Sequence, residues 1–493
     1  MEGHRKSDRV VVPEKRPNNA PGAAEDVEER TLTKGNTKEP AAPRMQSREH
    51  GVSRGLGRVR EAAQRDKEQK FTGLLHHIDE EALLRTFRAM NRRAAAGVDG
   101  VTWKQYEEGL GERLKDLCGR IHRGSYRPQP SRRTFIPKTD GTRRALGIAA
   151  LEDKLVQGAV VAVLNAIYEA DFLGFSYGFR PGRGPHDALD ALSVAIQTKK
   201  VNYILDADIR GYFDTIDHEM LLQLVQERVG DPRVLQLIER WLKAGVVEEG
   251  QWQANAAGTP QGATISPLLA NIYLHHVLDQ WAHAWRKTCK GEVVIVRYAD
   301  DFVVGFQYEQ DAKAFQAALQ TRLREHHLEL HPDKTRLIEF GRYAQERRAK
   351  RGEGKPETFN FLGFTHICAR GEGFWVKRLP MKARSRAKLR KLKETLKRNM
   401  HRPVAVIGAW LGRVLAGYYA YFAVPGAMWP LDKMRRQLGY LWFKVLRRRD
   451  QLRVLNWAKM TSIVDRWLPR PQRMHPLPIV RFAVRTQGKS PVR

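Results

Sequence analysis

VVIVRYADDFVVGF, residues 293–306, places two adjacent carboxylates between two apolar runs. Residues 293–297 and 302–306 are rich in Val, Ile and Phe, the composition of buried strands, and Tyr298-Ala299-Asp300-Asp301 between them reads as the tip of a hairpin. Aspartates seldom sit beside buried strands unless something compensates their charge. A second acidic cluster, Asp206-Ala207-Asp208, closes the apolar strand expected over residues 201–209. Side chains alternate along a strand, so Asp206 and Asp208 share one face. Each cluster alone has an ordinary explanation, since Asp caps turns and Asp-Asp at a hairpin tip is often solvated. Together they suggest one site. Divalent Mg²⁺ takes carboxylate oxygen and keeps water and substrate phosphates as its other ligands. Two such ions roughly 3.5–4 Å apart serve in-line phosphoryl displacement.

Outward from these clusters, strands and helices mix without regular βαβ alternation, which predicts an α+β fold. Residues 132–148 (RRTFIPKTDGTRRALGI) read as a hairpin turning at Asp140-Gly141. Residues 151–170 and His186 to about Gln197 carry helical periodicity, Asp217 is placed to cap a helix from His218, and Ser266-Pro267 opens another. Residues 1–65 lack periodic apolar pattern and are expected to be a disordered charged extension, with order starting near Phe71. After about residue 375 the chain turns strongly basic and helical, which predicts a second, all-α domain. The expected organisation is therefore 1–65, 66–375, 376–465 and a basic tail over 466–493.

The chain of 493 residues carries 86 Lys+Arg against 55 Asp+Glu, a formal net charge of +31. That excess calls for a polyanion, and nucleic acid is the first candidate. No apolar run approaches the ~20 residues of a spanning helix, so no membrane partner is expected. Cys118, Cys289 and Cys368 are far apart with no C-x-x-C pair, which argues against a disulfide framework and a Cys-based zinc site. A charged N-terminus without an apolar segment fits a cytoplasmic protein.

The motifs DADIRGYFDTIDH, GTPQGATISPLLANIYLHHVLD, FSYGFRPGRGPHDAL, IPKTDGTRRALGI, LELHPDKTRLIEFGRYA and FNFLGFTH accompany the YADD hairpin. With them the chain, from about residue 70 to its end, closely resembles the reverse transcriptase–maturases encoded by bacterial group II introns. The resemblance implies a right-hand polymerase of fingers, palm and thumb, followed by a helical maturase domain. It implies that Asp208, Asp300 and Asp301 are catalytic, and that these with Ile209 hold two Mg²⁺ ions, for which Mn²⁺ could substitute. It puts Phe213 beneath the sugar of an incoming dNTP, where a ring would collide with a 2′-hydroxyl. Gln261 would position nucleotide or template, with glycines on either side allowing close approach. Lys138, Arg143 and Arg144 on the hairpin would neutralise the triphosphate. Lys334 would protonate pyrophosphate or contact a phosphate. Arg180 would face template or nucleotide. Phe361, Leu362 and Gly363 resemble a primer grip, and Lys382, Arg384 and Arg386 open the basic helix expected to grip RNA and primer.

The implied activity is RNA-directed DNA synthesis on intron RNA from a DNA primer or target, joined to RNA binding that assists splicing. The implied setting is a bacterial, nucleoid-associated ribonucleoprotein. The relatives' H-N-H nuclease with paired cysteines has no counterpart, so no strand cleavage by the protein itself is expected. A splicing cofactor with a dormant polymerase, a domesticated cellular reverse transcriptase and an RNA-dependent RNA polymerase are the alternatives. Intact aspartates speak against the first, and Phe213 with the YADD tip speaks against the last.

Overall fold

A computed structural model describes residues 54–137, 143–255, 257–449 and 455–486. The order of elements begins with helix α1 (Arg54–Arg65), then α2 (Glu80–Ala89), α3 (Trp103–Glu107) and α4 (Leu110–His122). Strands β1 (Ser131–Pro137) and β2 (Arg143–Ile148) lead into the long helix α5 (Leu151–Asp171) and α6 (Pro185–Thr198). Next come β3 (Tyr203–Ala207), α7 (Tyr212–Thr215), α8 (His218–Gln226), α9 (Pro232–Lys243), β4 (Val246–Glu248), β5 (Gln251–Gln253) and α10 (Ser266–Leu274). A π-helical turn, His275–Asp279, joins α10 to α11 (Gln280–Trp285). Then follow β6 (Val293–Tyr298), β7 (Asp301–Phe306), α12 (Glu309–Glu325), β8 (Arg336–Glu339), α13 (Ala344–Lys350), β9 (Phe359–Phe361), β10 (Phe364–Arg370) and β11 (Phe374–Pro380). The chain closes with α14 (Lys382–Arg398), α15 (Val404–Phe422), α16 (Met428–Arg449), α17 (Trp457–Trp467) and α18 (Pro478–Thr486).

This is the expected α+β arrangement, built on three sheets ordered β2-β1-β4-β5, β6-β7-β3-β8 and β11-β10-β9. In the second, all pairings are antiparallel. Strands β6 and β7 are nearly continuous apolar runs because both faces are covered. Leu205, Ile295 and Val304 join the core around α5, while Ile204, Val294, Val296 and Val303 join a second core beneath α6 and the β9–β11 sheet. Helix α5 is apolar on almost every side, as a helix surrounded by protein must be. A third core, among α14–α17, centres on Leu411, Leu415, Leu438 and Trp442. Among the described residues no helix is long and apolar enough to cross a membrane.

Several expected boundaries move. The extension expected to be unordered to residue 65 is helical from Arg54, because Leu56 and Ala63 bury against the rest of the core. Two buried residues seven positions apart are too weak a pattern to read without the partner. The change to all-helical structure comes at Lys382 rather than 376, since β11 extends to Pro380. Ser266 is the first residue inside its helix, and its hydroxyl donates to the Pro260 carbonyl at 3.0 Å rather than capping. The expected basic tail lies on the protein over its described part. Leu468 and His475 are buried, and Arg481 of α18 reaches Asp190 of α6 at 3.4 Å.

One buried ring makes a test of this packing. His366 on β10 is fully buried and stacks on Phe359 at 4.6 Å. Burial lowers it to about 3, with Arg378 pushing the same way. Unfolded histidine protonates near 6.5. Between these values the unfolded chain binds the extra proton, so stability is lost as pH falls below about 6.5, at about 1.4 kcal/mol per pH unit from this group. His366→Phe removes that term. The stability gap between variant and wild type, from urea unfolding at about pH 7, 6 and 5, is expected to shift by this slope toward the variant. A gap independent of pH would show that the ring is not held neutral.

Candidate active site

The hairpin β6–β7 pairs Tyr298 with Asp301 and turns through Ala299, which takes φ +57. That is left-handed backbone, uncommon for a residue with a Cβ. Strand β3 lies against β7 with Asp206 opposite Val303 and Ala207 opposite Phe302. One step further in this register brings Asp208 beside Asp301. The strand's exit is held in turn: the Asp208 carbonyl accepts from His331 N at 2.8 Å, and Ile209 bridges to Leu330. Two acidic clusters some ninety positions apart in sequence thus meet at one end of one sheet.

Their charges are felt mutually. Burial raises the Asp300 carboxyl above the ordinary range, and Asp208 raises it further, against Arg144 and Lys334. The Asp301 side chain is reached by solvent at the hairpin turn, although protein packs around its carboxyl. Burial, then Asp300, Asp208 and Asp206, push it up to about 7 against a pull from Arg384. Asp206 is raised to about 6 by burial, opposed by Arg336, whose guanidinium is 3.7 Å away. Asp208 pairs with the Lys334 ammonium, 2.6 Å from Oδ2. A turn in which His331 O accepts from Thr335 N at 3.0 Å aims Lys334 there. Among the described residues no three carboxylate, imidazole or thiolate groups close into a ready metal cage. The carboxylates are nonetheless hard oxygen donors, and those of Asp206, Asp300 and Asp301 carry a raised charge cost despite the cations around them. A divalent ion completing its shell with water and phosphate oxygens suits such a set.

Three further motifs meet beside the carboxylates. The loop around Pro260-Gln261-Gly262 is wedged between β2 and α7. Gly147 N donates to Gln261 O at 2.6 Å, and Thr259 N donates to Phe213 O at 2.7 Å. Gly258, at φ +83, lies so close to α7 that an added Cβ would stand 2.7 Å from Phe213 O. Gln261 Nε2 donates to Asp214 Oδ1 at 2.9 Å, so Asp214 serves this loop rather than capping a helix, whereas Asp217 does cap α8. Phe213 is half-buried, with its ring edge-on to Phe179 at 6.4 Å.

Of the remaining expected residues, Arg143 and Arg144 are exposed at the start of β2, opposite Pro137 and Ile136 of β1, and Lys138 lies outside the described residues. Leu362 and Gly363 form a tight turn, at φ +47 and +81, whose Leu362 carbonyl accepts from Tyr421 Oη at 2.8 Å. Phe361 is 3% exposed, so its ring belongs to the core and only its backbone can grip anything. Ile209 is 2% exposed for the same reason, and only its carbonyl is a possible ligand. Lys382, Arg384 and Arg386 are exposed on the first turns of α14, with Arg384 beside Gly363. Arg180, expected to face template or nucleotide, has a buried guanidinium that pairs with Glu169 at 2.9 Å, donates to the carbonyls of Leu173 and Ser176 and lies over the Phe172 ring. These contacts organise its own loop.

Two residues escaped the sequence reading. Phe179 is 47% exposed at φ +58 beside Phe213, a strained position for a bulky side chain. Arg297, the residue before Tyr298, is fully buried at the base of the YADD turn. A lone Arg inside an apolar strand was the available signal.

Residues 136–366 match the family model "Reverse transcriptase (RNA-dependent DNA polymerase)". The chain is 33% identical over 276 residues to protein YkfC of Escherichia coli (strain K12), covering 49% of this chain and 71% of that protein. It is 35% identical over 224 residues to the group II intron-encoded protein LtrA of Lactococcus lactis subsp. cremoris, covering 45% of this chain and 37% of LtrA. It is 35% identical over 166 residues to the putative COX1/OXI3 intron 2 protein of Saccharomyces cerevisiae, covering 33% of this chain and 19% of that protein. The match thus spans well under two thirds of the intron-encoded relatives.

Proposed function

The chain belongs to the reverse transcriptase (RNA-dependent DNA polymerase) family, and on that basis we propose that it copies group II intron RNA into DNA from a DNA primer 3′ end and binds the intron RNA as a splicing maturase. The observation that carries the reading is the meeting of Asp208, Asp300 and Asp301 at one sheet end, the last two made costly to ionise and the first paired with the Lys334 ammonium. In this reading the β6-β7-β3-β8 sheet is the palm, the β1–β2 hairpin belongs to the fingers, and α14–α17 form the thumb and maturase domain. Asp208, Asp300, Asp301 and the carbonyl of Ile209 would hold two Mg²⁺ ions, or Mn²⁺ in their place. Such ions stabilise the charge on the attacking and leaving oxygens of an in-line displacement.

The chain's own groups then have distinct work. Arg143 and Arg144 come from the hairpin to the triphosphate. Lys334, held on Asp208 before substrate arrives, is placed to move its proton toward leaving pyrophosphate. Gln261, tied to Asp214 and to β2, sets the floor for the nucleotide. Phe213 shuts out a 2′-hydroxyl. Leu362, Gly363 and Arg384 lie where a primer end would rest. The net charge of +31 fits a partner of many phosphates.

Primer extension on an RNA template, with dNTP and NTP in parallel, tests the reading. Extension with dNTP is expected. RNA binding without any incorporation would leave a splicing cofactor instead. In Phe213→Ala the preference for dNTP over NTP, taken as the ratio of kcat/KM values, is expected to fall at least about tenfold. An unchanged ratio would remove Phe213 as the sugar gate.

A further inference from the structure

The turn that carries Asp300 and Asp301 rests on a buried network built around Arg297. Arg297 has five N–H donors, and each has an acceptor. Nε donates to Asp279 Oδ1 at 2.7 Å, and Nη2 to Asp279 Oδ2 at 2.5 Å and Ser176 Oγ at 2.7 Å. Nη1 donates to Asn271 Oδ1 at 3.0 Å and to the carbonyl of Ala299 at 2.9 Å. Ala299 is the left-handed residue of the turn, one position before Asp300. On the turn's other side Gly178 presses so close that an added Cβ would stand 2.2 Å from Ala299 N. Asn271 joins the two sides, since its Nδ2 donates to Gly178 O at 2.6 Å. Asp279 closes the π-helical turn, a helix irregularity that often marks a functional position.

We propose that Arg297, Asn271 and Asp279 are positioning residues that clamp Ala299 between a guanidinium and the Gly178 backbone, and so fix where the Asp300 and Asp301 carboxylates stand toward divalent cations. The inference rests on the polymerase reading above. Its physical ground is that the network is fully satisfied inside the core. Arg297 and Asp279 are both completely buried, so moving the turn means breaking a charge-assisted bond with no water to replace it. Such a clamp holds Ala299 in a conformation its Cβ disfavours, and it presets the carboxylates before any cation neutralises their repulsion.

The test uses the full chain. Gly178→Ala pushes on Ala299 N without touching the network's side chains. Asn271→Ala cuts both sides, and Arg297→Lys keeps the charge but loses the fork. Arg228→Lys is the control. Arg228 is also a buried arginine in an ion pair, with Asp171 at 2.9 Å, and is remote in role from the turn. Three readouts are taken: Mn²⁺ affinity by electron paramagnetic resonance of the protein–duplex complex, single-turnover extension, and melting temperature. Gly178→Ala and Asn271→Ala are expected to weaken Mn²⁺ binding about tenfold and slow extension by about 10–100-fold, with duplex affinity held. Arg228→Lys is expected to lower the melting temperature and leave Mn²⁺ affinity alone. Should Arg297→Lys not fold, Gly178→Ala still judges the clamp. Wild-type Mn²⁺ affinity and rate in both Gly178→Ala and Asn271→Ala would overturn it. A wild-type protein that incorporates no nucleotide would instead overturn the polymerase reading, and the Mn²⁺ readout would still judge the clamp.

Discussion

Asp300→Ala is expected to abolish primer extension, by about 10³-fold or more, while duplex and RNA affinity stay within about twofold. A carboxylate that helps hold a catalytic cation contributes several kcal/mol to the transition state. At about 1.4 kcal/mol per tenfold, a loss of roughly 4 kcal/mol gives that factor. Binding should not follow, because the carboxylate repels phosphates unless a cation intervenes, and the nucleic-acid surface is supplied by cations elsewhere. The same substitution should make the cation-free protein more stable. Burial and Asp208 both disfavour the Asp300 charge, so its removal relieves a cost present at neutral pH. Extension rates, duplex titration and chelator-treated melting curves together measure this. Near-wild-type extension would show that Asp300 is not a metal-holding group, and unchanged stability would show that its charge is not strained.

The second large effect is expected from replacing Lys382, Arg384 and Arg386 together by Ala. These residues lie exposed on the first turns of α14, a helix whose only acidic residue is Glu394. If each meets a phosphate, the slope of log affinity against log salt falls by about 0.9 per contact, or about 2–3 in all. The corresponding loss of affinity is two to three orders of magnitude at about 0.1 M salt and small near 1 M. Melting should hardly change, since exposed cations contribute little to the fold. Arg384 alone should show an additional effect. It lowers the Asp301 carboxyl and stands beside Gly363, so Arg384→Ala should slow extension at saturating duplex, as Lys382→Ala should not. A salt slope that does not move would place this surface off the nucleic acid, and equal rates in the two single variants would separate Arg384 from the carboxylate site.

Much of the site was legible from sequence because its signals are local. The YADD hairpin, the alternation at Asp206 and Asp208, the helix capped by Asp217 and the Gly-flanked Gln261 each follow from backbone rules acting over a few residues. Those rules state what a strand or turn exposes, and the resemblance supplied the order in which they assemble. They do not state which charged side chain will be swallowed by the core. Arg180 looked like a free cation in a glycine-rich loop, and only folding showed its guanidinium spent on Glu169 and two carbonyls. The motif around Lys334 implies a proton donor to pyrophosphate or a phosphate contact, while its contact with Asp208 joins residues 126 positions apart and is set by folding.

The sequence by itself determined the chemistry on offer: paired carboxylates at strand ends, a bulky ring after them, and an excess of cations for a polyanion. Tertiary structure alone decided how those groups are held. The β3–β7 register that sets Asp208 beside Asp301, the Arg297 network under Ala299, the burial of α1 and the return of α18 onto α6 all depend on contacts between distant segments. Periodicity carries a residue's tendency to face inward, whereas its partner across the core is chosen by packing and by the high cost of leaving a buried charge unpaired.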